Sequence, residues 1–267
     1  MGIGTDIVDD WDASLAALAW QVEAGVDEVI GDAPVNRYDL AVGAPKIAAA
    51  GPVPQAPRPQ LVEPGPAADP VAAAQAVAAR SGSLEALREG LMAFDHCELK
   101  RGARNTVFAD GNPKARVLVL GEAPGADEDR EGRPFVGRAG QLLDRMFAAI
   151  GLSRSSSDPA TGLYITNVMP WRPPGNRDPE PGEIAMMRPF VERHIALADP
   201  EVIVVMGNTP LLTLTGGKGI LRARGNWTTA LGKPVLPMTH PAYLLRNPAA
   251  KREAWADLLA LQARLRE

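Results

Sequence analysis

The chain is poor in the residues from which many sites are built: one cysteine and three histidines among 267 residues, with 5% aromatic side chains. A single cysteine excludes a disulfide framework, and it excludes a zinc or iron–sulfur site made of four thiolates of this chain. A reducing compartment, the cytoplasm, is expected. No run of about 18 apolar residues is present, the length that a membrane-spanning helix needs. The start MGIGTDIVDDWDASL is acidic, where a secretory signal would carry a basic stretch and then an apolar one, so no membrane role is expected. The sequence also lacks GxxxxGK[ST], a GxGxxG after the first strand, GxSxG and HExxH. Phosphate-cradling, serine-nucleophile and zinc-peptidase chemistry are therefore disfavoured. His96, His194 and His240 lie far apart, and His194 falls inside a helical pattern, where a solvated or core-edge role is expected and ligation is not.

Charge is spread unevenly. Residues 1–80 hold 4 basic and 11 acidic side chains, a sum of −7, and residues 81–267 hold 24 and 21, a sum of +3. A mildly basic body behind an acidic front gives weak support to a nucleic-acid partner, because a local basic patch and not the net sum meets phosphates. From Asp12 to about Ile30, the residues Leu15, Leu18, Ala19, Val22, Val26 and Ile30 recur at helical spacing. Residues 41–78 hold 13 Ala and 8 Pro in 38 positions with no periodic apolar face, which predicts a flexible linker. Three segments follow: an amphipathic helix module over 1–40, a disordered Ala/Pro-rich linker over 41–80 and a folded domain over 81–267. The helix either docks back on the body or is offered to a protein partner.

Within the body, short β-branched runs at Arg116–Leu120, Leu163–Val168, Val202–Met206 and Val235–Met238 are apolar on both faces, as in a parallel sheet covered by helices. Helical patterns separate them: Leu142 to Ile150, Ile184 to Leu197, a short helix opened by Thr209 with Pro210 in its first turn, and Pro248 to Leu265. The expected fold is α/β, a three-layer α/β/α sandwich on a central, mainly parallel four-stranded sheet. The strands are followed by GEAPG (121–125), by Asn167 and PWRPPGNRDP (170–179), by Gly207-Asn208-Thr209 and by Thr239-His240-Pro241. Open α/β sheets bind ligands beyond the carboxyl ends of their strands, so these segments converge on one crevice.

The crevice would hold a carboxylate (Glu122), an amide (Asn167), an imidazole (His240) and a ring (Phe135) on the loop REGRPFVGRAG. An amide beside a stacking ring reads a planar base edge, because one rigid fork supplies both a donor and an acceptor. The expected ligand is a nucleobase. Taken singly, each residue also has an ordinary structural reading: a turn carboxylate, a core ring, an amide satisfying strand-end backbone groups, a capping histidine.

The segments VLVLGEAPGADEDREGRPFVGRAGQLLD, YITNVMPWRPPGNRDPEP and THPAYLLR resemble the three motif regions of the family 4 uracil-DNA glycosylases, over about Leu91–Leu265. The resemblance implies a monofunctional base-excision-repair enzyme that flips deoxyuridine out of DNA and hydrolyses its N-glycosidic bond, leaving an abasic site. It implies that Phe135 stacks on the uracil, that the Asn167 amide pairs with O4 and N3–H, and that His240 donates to O2. Glu122 and the backbone of Ala123 would line the other side. Which of Glu122, Glu128 and Asp129 serves the sugar or the water stays open. Leu244 and Leu245 would fill the duplex, and Arg246, with Arg172, Asn176 and Arg177, would meet DNA; Ala242 stands where the family usually has Ser.

Family members usually hold a structural iron–sulfur cluster on four cysteines. Here those positions read Phe94, Cys97, Trp171 and Met187, so no cluster and no other cofactor is expected. The expected partner is uracil-containing DNA and the expected state a monomer. Excision of another deaminated base such as hypoxanthine, non-catalytic damage sensing, and action on a free nucleotide are the alternatives. The choice between single- and double-stranded DNA stays open.

Overall fold

The computed structural model describes residues 11–23 and 69–267 of the chain, which divides into two units, Met1–Glu63 and Pro64–Glu267. In the first, α1 covers Trp11–Glu23, with Leu15 and Leu18 exposed. The expected continuation to Ile30 and the linker over 41–68 lie outside the described residues. No described helix is long and apolar enough to cross a membrane.

In the second unit the elements run α2 (Pro70–Arg80), α3 (Leu84–Ala93), α4 (Leu99–Gly102), β1 (Ala109–Gly111), β2 (Val117–Gly121), α5 (Ala126–Glu131) and α6 (Arg138–Ala148). They continue with β3 (Leu163–Asn167), α7 (Pro181–Ala198), β4 (Val202–Met206), α8 (Asn208–Thr215), α9 (Ile220–Ala223), β5 (Thr228–Ala230), β6 (Lys233–Met238), α10 (Pro241–Arg246) and α11 (Lys251–Leu265). The sheet order is β1-β3-β2-β4-β6-β5. Its four central strands are parallel, in agreement with the sequence, while β1 and β5 add antiparallel edges. The sheet thus has six strands and not the expected four.

Strand alternation sorts the core into two layers. Val117, Val119, Ile165, Val204 and Leu236 face Leu143 and Phe147 of α6 and Leu258 and Leu261 of α11. Leu118, Leu120, Tyr164, Ile203, Val205 and Val235 face the other side, with Leu87, Leu91, Met187, Phe190 and Ile195. Strands buried on both faces are what their uninterrupted apolar runs require.

Two expectations need correction. Residues 70–80, assigned to the linker by composition, form α2: the Asp69 carboxylate accepts from the Val71 N–H at 2.9 Å, Pro70 opens the first turn, and Ala74 and Ala78 are buried among α3 and α7 residues. Small side chains at these positions let helices approach closely. His194 is inside the core and not at its edge, stacked on Phe108 with ring centroids 4.5 Å apart and sharing a 2.9 Å hydrogen bond with the Tyr164 hydroxyl. Burial lowers its pKa to about 4, so the ring is neutral.

Candidate active site

An open cleft of about 660 Å³ lies across the carboxyl ends of the parallel strands, with Glu122, Phe135, Asn167 and His240 among its walls. Its size falls in the usual range for ligand sites. Asn167 ends β3 and is in register with Gly121, which ends β2. A Cβ on Gly121 would lie 2.3 Å from Asn167 Oδ1 and 2.5 Å from Phe135 Cε2, so glycine is what allows the amide and the ring to come together. Asn167 is 7% exposed, and among the described residues its Oδ1 and the Thr239 hydroxyl are the buried side-chain polar atoms without a hydrogen-bond partner. Both residues line the cleft. Buried polar atoms are nearly always paired, so two such atoms in one cleft mark a place for a polar ligand.

Phe135 stacks on His240 with centroids 5.4 Å apart and planes at 28°. His240 caps α10: its Nδ1 accepts the Ala242 N–H at 3.1 Å. Burial, helped by the nearby Arg246 charge and opposed by Glu128, lowers its pKa to about 4. The imidazole is therefore neutral, and the capping bond assigns its proton to Nε2, which makes that atom a donor.

The ring platform sits on strained backbone. Phe135 has φ +54°, a left-handed conformation that bulky residues adopt only when neighbours over-determine it. Those neighbours are visible. Arg154, with 13% of its side chain exposed and paired to Asp110 and Asp144, donates to the carbonyl oxygens of Pro134 at 2.8 Å and Phe135 at 2.9 Å. Glu128 Oε1 accepts from Val136 N and Gly137 N, both at 2.9 Å, and Oε2 from Gly125 N at 3.0 Å. Gly140 lies so close below that a Cβ would meet the Phe135 carbonyl. Asp129 accepts the amides of Arg104 and Asn105 at 2.9 and 3.2 Å. Glu128 and Asp129 are thus occupied in holding loops.

Glu122 differs. Its Oε2 accepts the Thr209 hydroxyl at 2.6 Å, and burial pushes its pKa up, against the Thr209 bond and together with Asp178. It is the one of the three acids with a side-chain hydroxyl partner and a cleft position free of backbone clamping.

Of the residues expected to meet DNA, Asn176, Arg177 and Arg246 line the cleft. Arg246 is exposed. Arg177 is tied to Glu183 by bonds of 2.6 and 2.9 Å, which pull the Glu183 carboxyl below the usual range. Arg172 is half-buried and bonds the Asn176 side chain at 2.8 Å. Leu244, one of the two residues expected to fill the duplex, is fully buried with Leu142 and Ala254 in this structure, and Leu245 is half-buried against the same cluster. In a six-residue helix the inward face falls on Leu244, and the cleft instead receives Tyr243.

A sequence profile described as the uracil DNA glycosylase superfamily matches residues 108–259. The chain belongs to that superfamily. It is 40% identical over 171 residues to a type-4 uracil-DNA glycosylase of Thermotoga maritima, covering 63% of this chain and 86% of that one. It is 38% identical over 180 residues to one of Sulfurisphaera tokodaii, covering 64% and 79%. A third, of Archaeoglobus fulgidus, is 36% identical over 186 residues, covering 66% and 89%.

A four-cysteine cluster of the kind the type-4 resemblance implies does not fit the residues present in this superfamily member. Phe94, Cys97, Trp171 and Met187 do converge, all buried at 3% exposure or less in one apolar cluster. Phe94 meets Phe190 edge-on at 5.3 Å, and the Trp171 indole N–H donates to the Thr106 hydroxyl at 3.0 Å. Three of the four side chains offer no thiolate, and burial raises the pKa of the remaining thiol. No group of three or more metal-binding side chains occurs among the described residues.

Sequence reasoning missed Thr209 as the partner of Glu122, Arg154 as the clamp on Phe135, and Thr239 as a cleft hydroxyl. Thr209 had a signal, its place at a strand's carboxyl end. Arg154 had none, lying in a Ser-rich loop after α6.

Proposed function

We propose that this chain is a uracil-DNA glycosylase that hydrolyses the bond between uracil and deoxyribose in DNA and leaves an abasic site. The observation that carries the reading is the buried, unpartnered Asn167 Oδ1 beside the Phe135 ring and a neutral His240. A uracil stacked on Phe135 gives N3–H to that oxygen and takes a hydrogen bond at O4 from the same amide. Cytosine presents the reverse pattern and is rejected, because mispairing would leave buried polar groups unsatisfied.

As the C1′–N1 bond breaks, charge builds on the leaving base, and His240 Nε2–H donates to O2. A neutral donor suits a step that creates an anion, since a fixed dipole stabilises that charge without a proton transfer. Glu122, held by Thr209, faces the sugar side, where an ionised carboxylate stabilises an oxocarbenium ion and takes the proton of the water that adds to C1′. Glu128 and Asp129 support the walls. Phe94, Trp171 and Met187 fill the volume around Cys97, so the loops are held by packing and the reaction proceeds without a cluster; iron or sulfide in anaerobically purified protein would overturn that. Every group named lies in one chain, so the reading needs no second copy.

The test is single-turnover cleavage of oligonucleotides carrying one U, T, C, hypoxanthine or xanthine, single-stranded and paired. Excision of U alone is expected, with Asn167→Asp and His240→Ala each slowing it about 100-fold or more. Unchanged rates in both variants would refute the site, and tight DNA binding with no cleavage would favour a damage sensor.

A further inference from the structure

Buried threonines of this chain spend their hydroxyls on the protein. Thr166 donates to the Phe108 carbonyl oxygen at 2.7 Å, Thr213 to the Thr209 carbonyl oxygen one helical turn back at 2.7 Å, and Thr209 to Glu122 at 2.6 Å. Thr239 is the exception among the described residues: it is 1% exposed, yet its Oγ1 has no partner. An unpaired buried hydroxyl destabilises the fold, so its presence at the cleft points to a use outside folding.

The two faces of the sheet divide the cleft between them. Ile165, Met238 and Phe135 belong to the layer of α6 and α11, so Asn167, two residues beyond Ile165, shares the base side with the ring. Leu120 belongs to the opposite layer, with Leu211 of α8. Backbone pairing continues past β2, where the Met169 N–H donates to the Glu122 carbonyl oxygen at 2.9 Å, and reaches the end of β6, where the Gly207 N–H donates to that of Met238 at 3.2 Å. The alternation therefore carries Glu122, two residues after Leu120, and Thr239, one after Met238, to the α8 face. Thr209, in the first turn of α8, stands on that face too. The ends of β4 and β6 are close, since a Cβ on Gly207 would lie 3.9 Å from the His240 Cβ. One threonine hydroxyl there is bound to Glu122 and the other is unbound, and Glu122 and Thr239 both line the cleft.

We propose that the Thr239 hydroxyl, together with the Glu122 carboxylate, holds the water that adds to C1′. This rests on the glycosylase reading and gives its nucleophile a second contact. The water gives one O–H to Glu122 and the other to Thr239 Oγ1, which leaves a lone pair to point at C1′. When the C1′–N1 bond breaks, its electron pair departs with uracil; the water lone pair forms the C1′–O bond, and the proton on the Glu122 side passes to that carboxylate. Glu122 then returns a proton to solvent, from which the uracil anion takes one, so the carboxylate ends as it began. Asn167 and His240 select and release the base, and Thr239 acts on the other partner of the reaction.

The experiment measures single-turnover excision from a uracil-containing oligonucleotide by Thr239→Val and Thr239→Ser. Excision by the unsubstituted chain tests the underlying reading; the comparison of variants tests the proposal. Valine keeps the shape and removes a hydroxyl that no protein group uses, so the melting temperature should hold or rise. The rate should fall about tenfold or more, while affinity for an oligonucleotide carrying uncleavable 2′-fluoro-deoxyuridine stays within about twofold. Serine keeps the hydroxyl and should stay within about threefold of the unsubstituted rate. Aqueous methanol gives the readout that a structural role would not move. Methanol has a single O–H and cannot serve both Glu122 and Thr239, so Thr239→Val should raise the ratio of methyl glycoside to abasic product about threefold or more. A valine rate within twofold, a serine variant as slow as valine, an unchanged methanol ratio, or a loss of affinity that accounts for the loss of rate would each overturn the assignment, the last by placing the hydroxyl on the DNA itself.

Discussion

Two sides of the cleft are fastened by different balances of polar bonding and packing. The loop that carries Phe135 is held by a polar lattice: three backbone amides on Glu128, two carbonyl groups on Arg154, and two aspartates on Arg154 in turn. The side that carries Trp171 leans more on carbon, with Phe94, Cys97, Met187 and Phe190 packed into one apolar cluster beside a few side-chain bonds such as Trp171 to Thr106 and Arg177 to Glu183. Hydrogen bonds have direction and can impose a φ of +54° on a phenylalanine; dispersion and hydrophobic burial have none and fix volume more than angle. The strained loop therefore needs the lattice, while the other side depends more on being filled.

This contrast can be broken from either end. The largest effect on stability should come from Trp171→Ala, about 3–5 kcal/mol from lost contacts and a cavity, measured by denaturant unfolding, with the excision rate per folded molecule changed little. A comparable loss of rate would show that the apolar side also sets the geometry. Next in size, Arg154→Met should slow single-strand excision about 100-fold, as misplacement of a reacting group by about 1 Å does, while shifting the melting temperature by only a few degrees. If rate and stability fall together, the lattice is merely structural.

The acid limb sharpens the comparison further, because both layers hold a neutral histidine. His194 and His240 have folded pKa values of about 4, below the ordinary 6.5, so the unfolded chain binds protons first as pH falls. Their contribution to stability is fully present above pH 6.5 and is lost toward pH 4. His194→Gln should remove about one proton from the slope of unfolding free energy against pH in that window, and an unchanged slope would place the titration elsewhere. Smallest of all, Cys97→Ala should cost about 1 kcal/mol and leave excision unaffected; loss of activity would point to a role for the thiol that packing does not explain.

How much of this could be read from the chain depends on where each feature is encoded. The four central strands were legible because burial on both faces forces uninterrupted apolar runs such as Val202–Met206. The edges β1 and β5 were not, since three residues reading ADG or TTA carry no periodicity. Helix α2 was masked by its alanines and its neighbouring prolines, although Asp69-Pro70 is a helix-start signal in plain view. Glu122, Asn167 and His240 were legible because topology alone sends strand ends to one crevice. Phe135 was placed by its loop, but its strained backbone and its hold on Arg154 exist only in three dimensions. The orientation of Leu244 was likewise hidden, because a short helix can turn any of its side chains inward.

The carbon-filled side of the cleft has a consequence for the life of the molecule. The indole, phenyl and thioether groups that pack there all come from the chain's own core. A wall of this kind is completed by the folding step itself, so its integrity follows the stability of the whole domain.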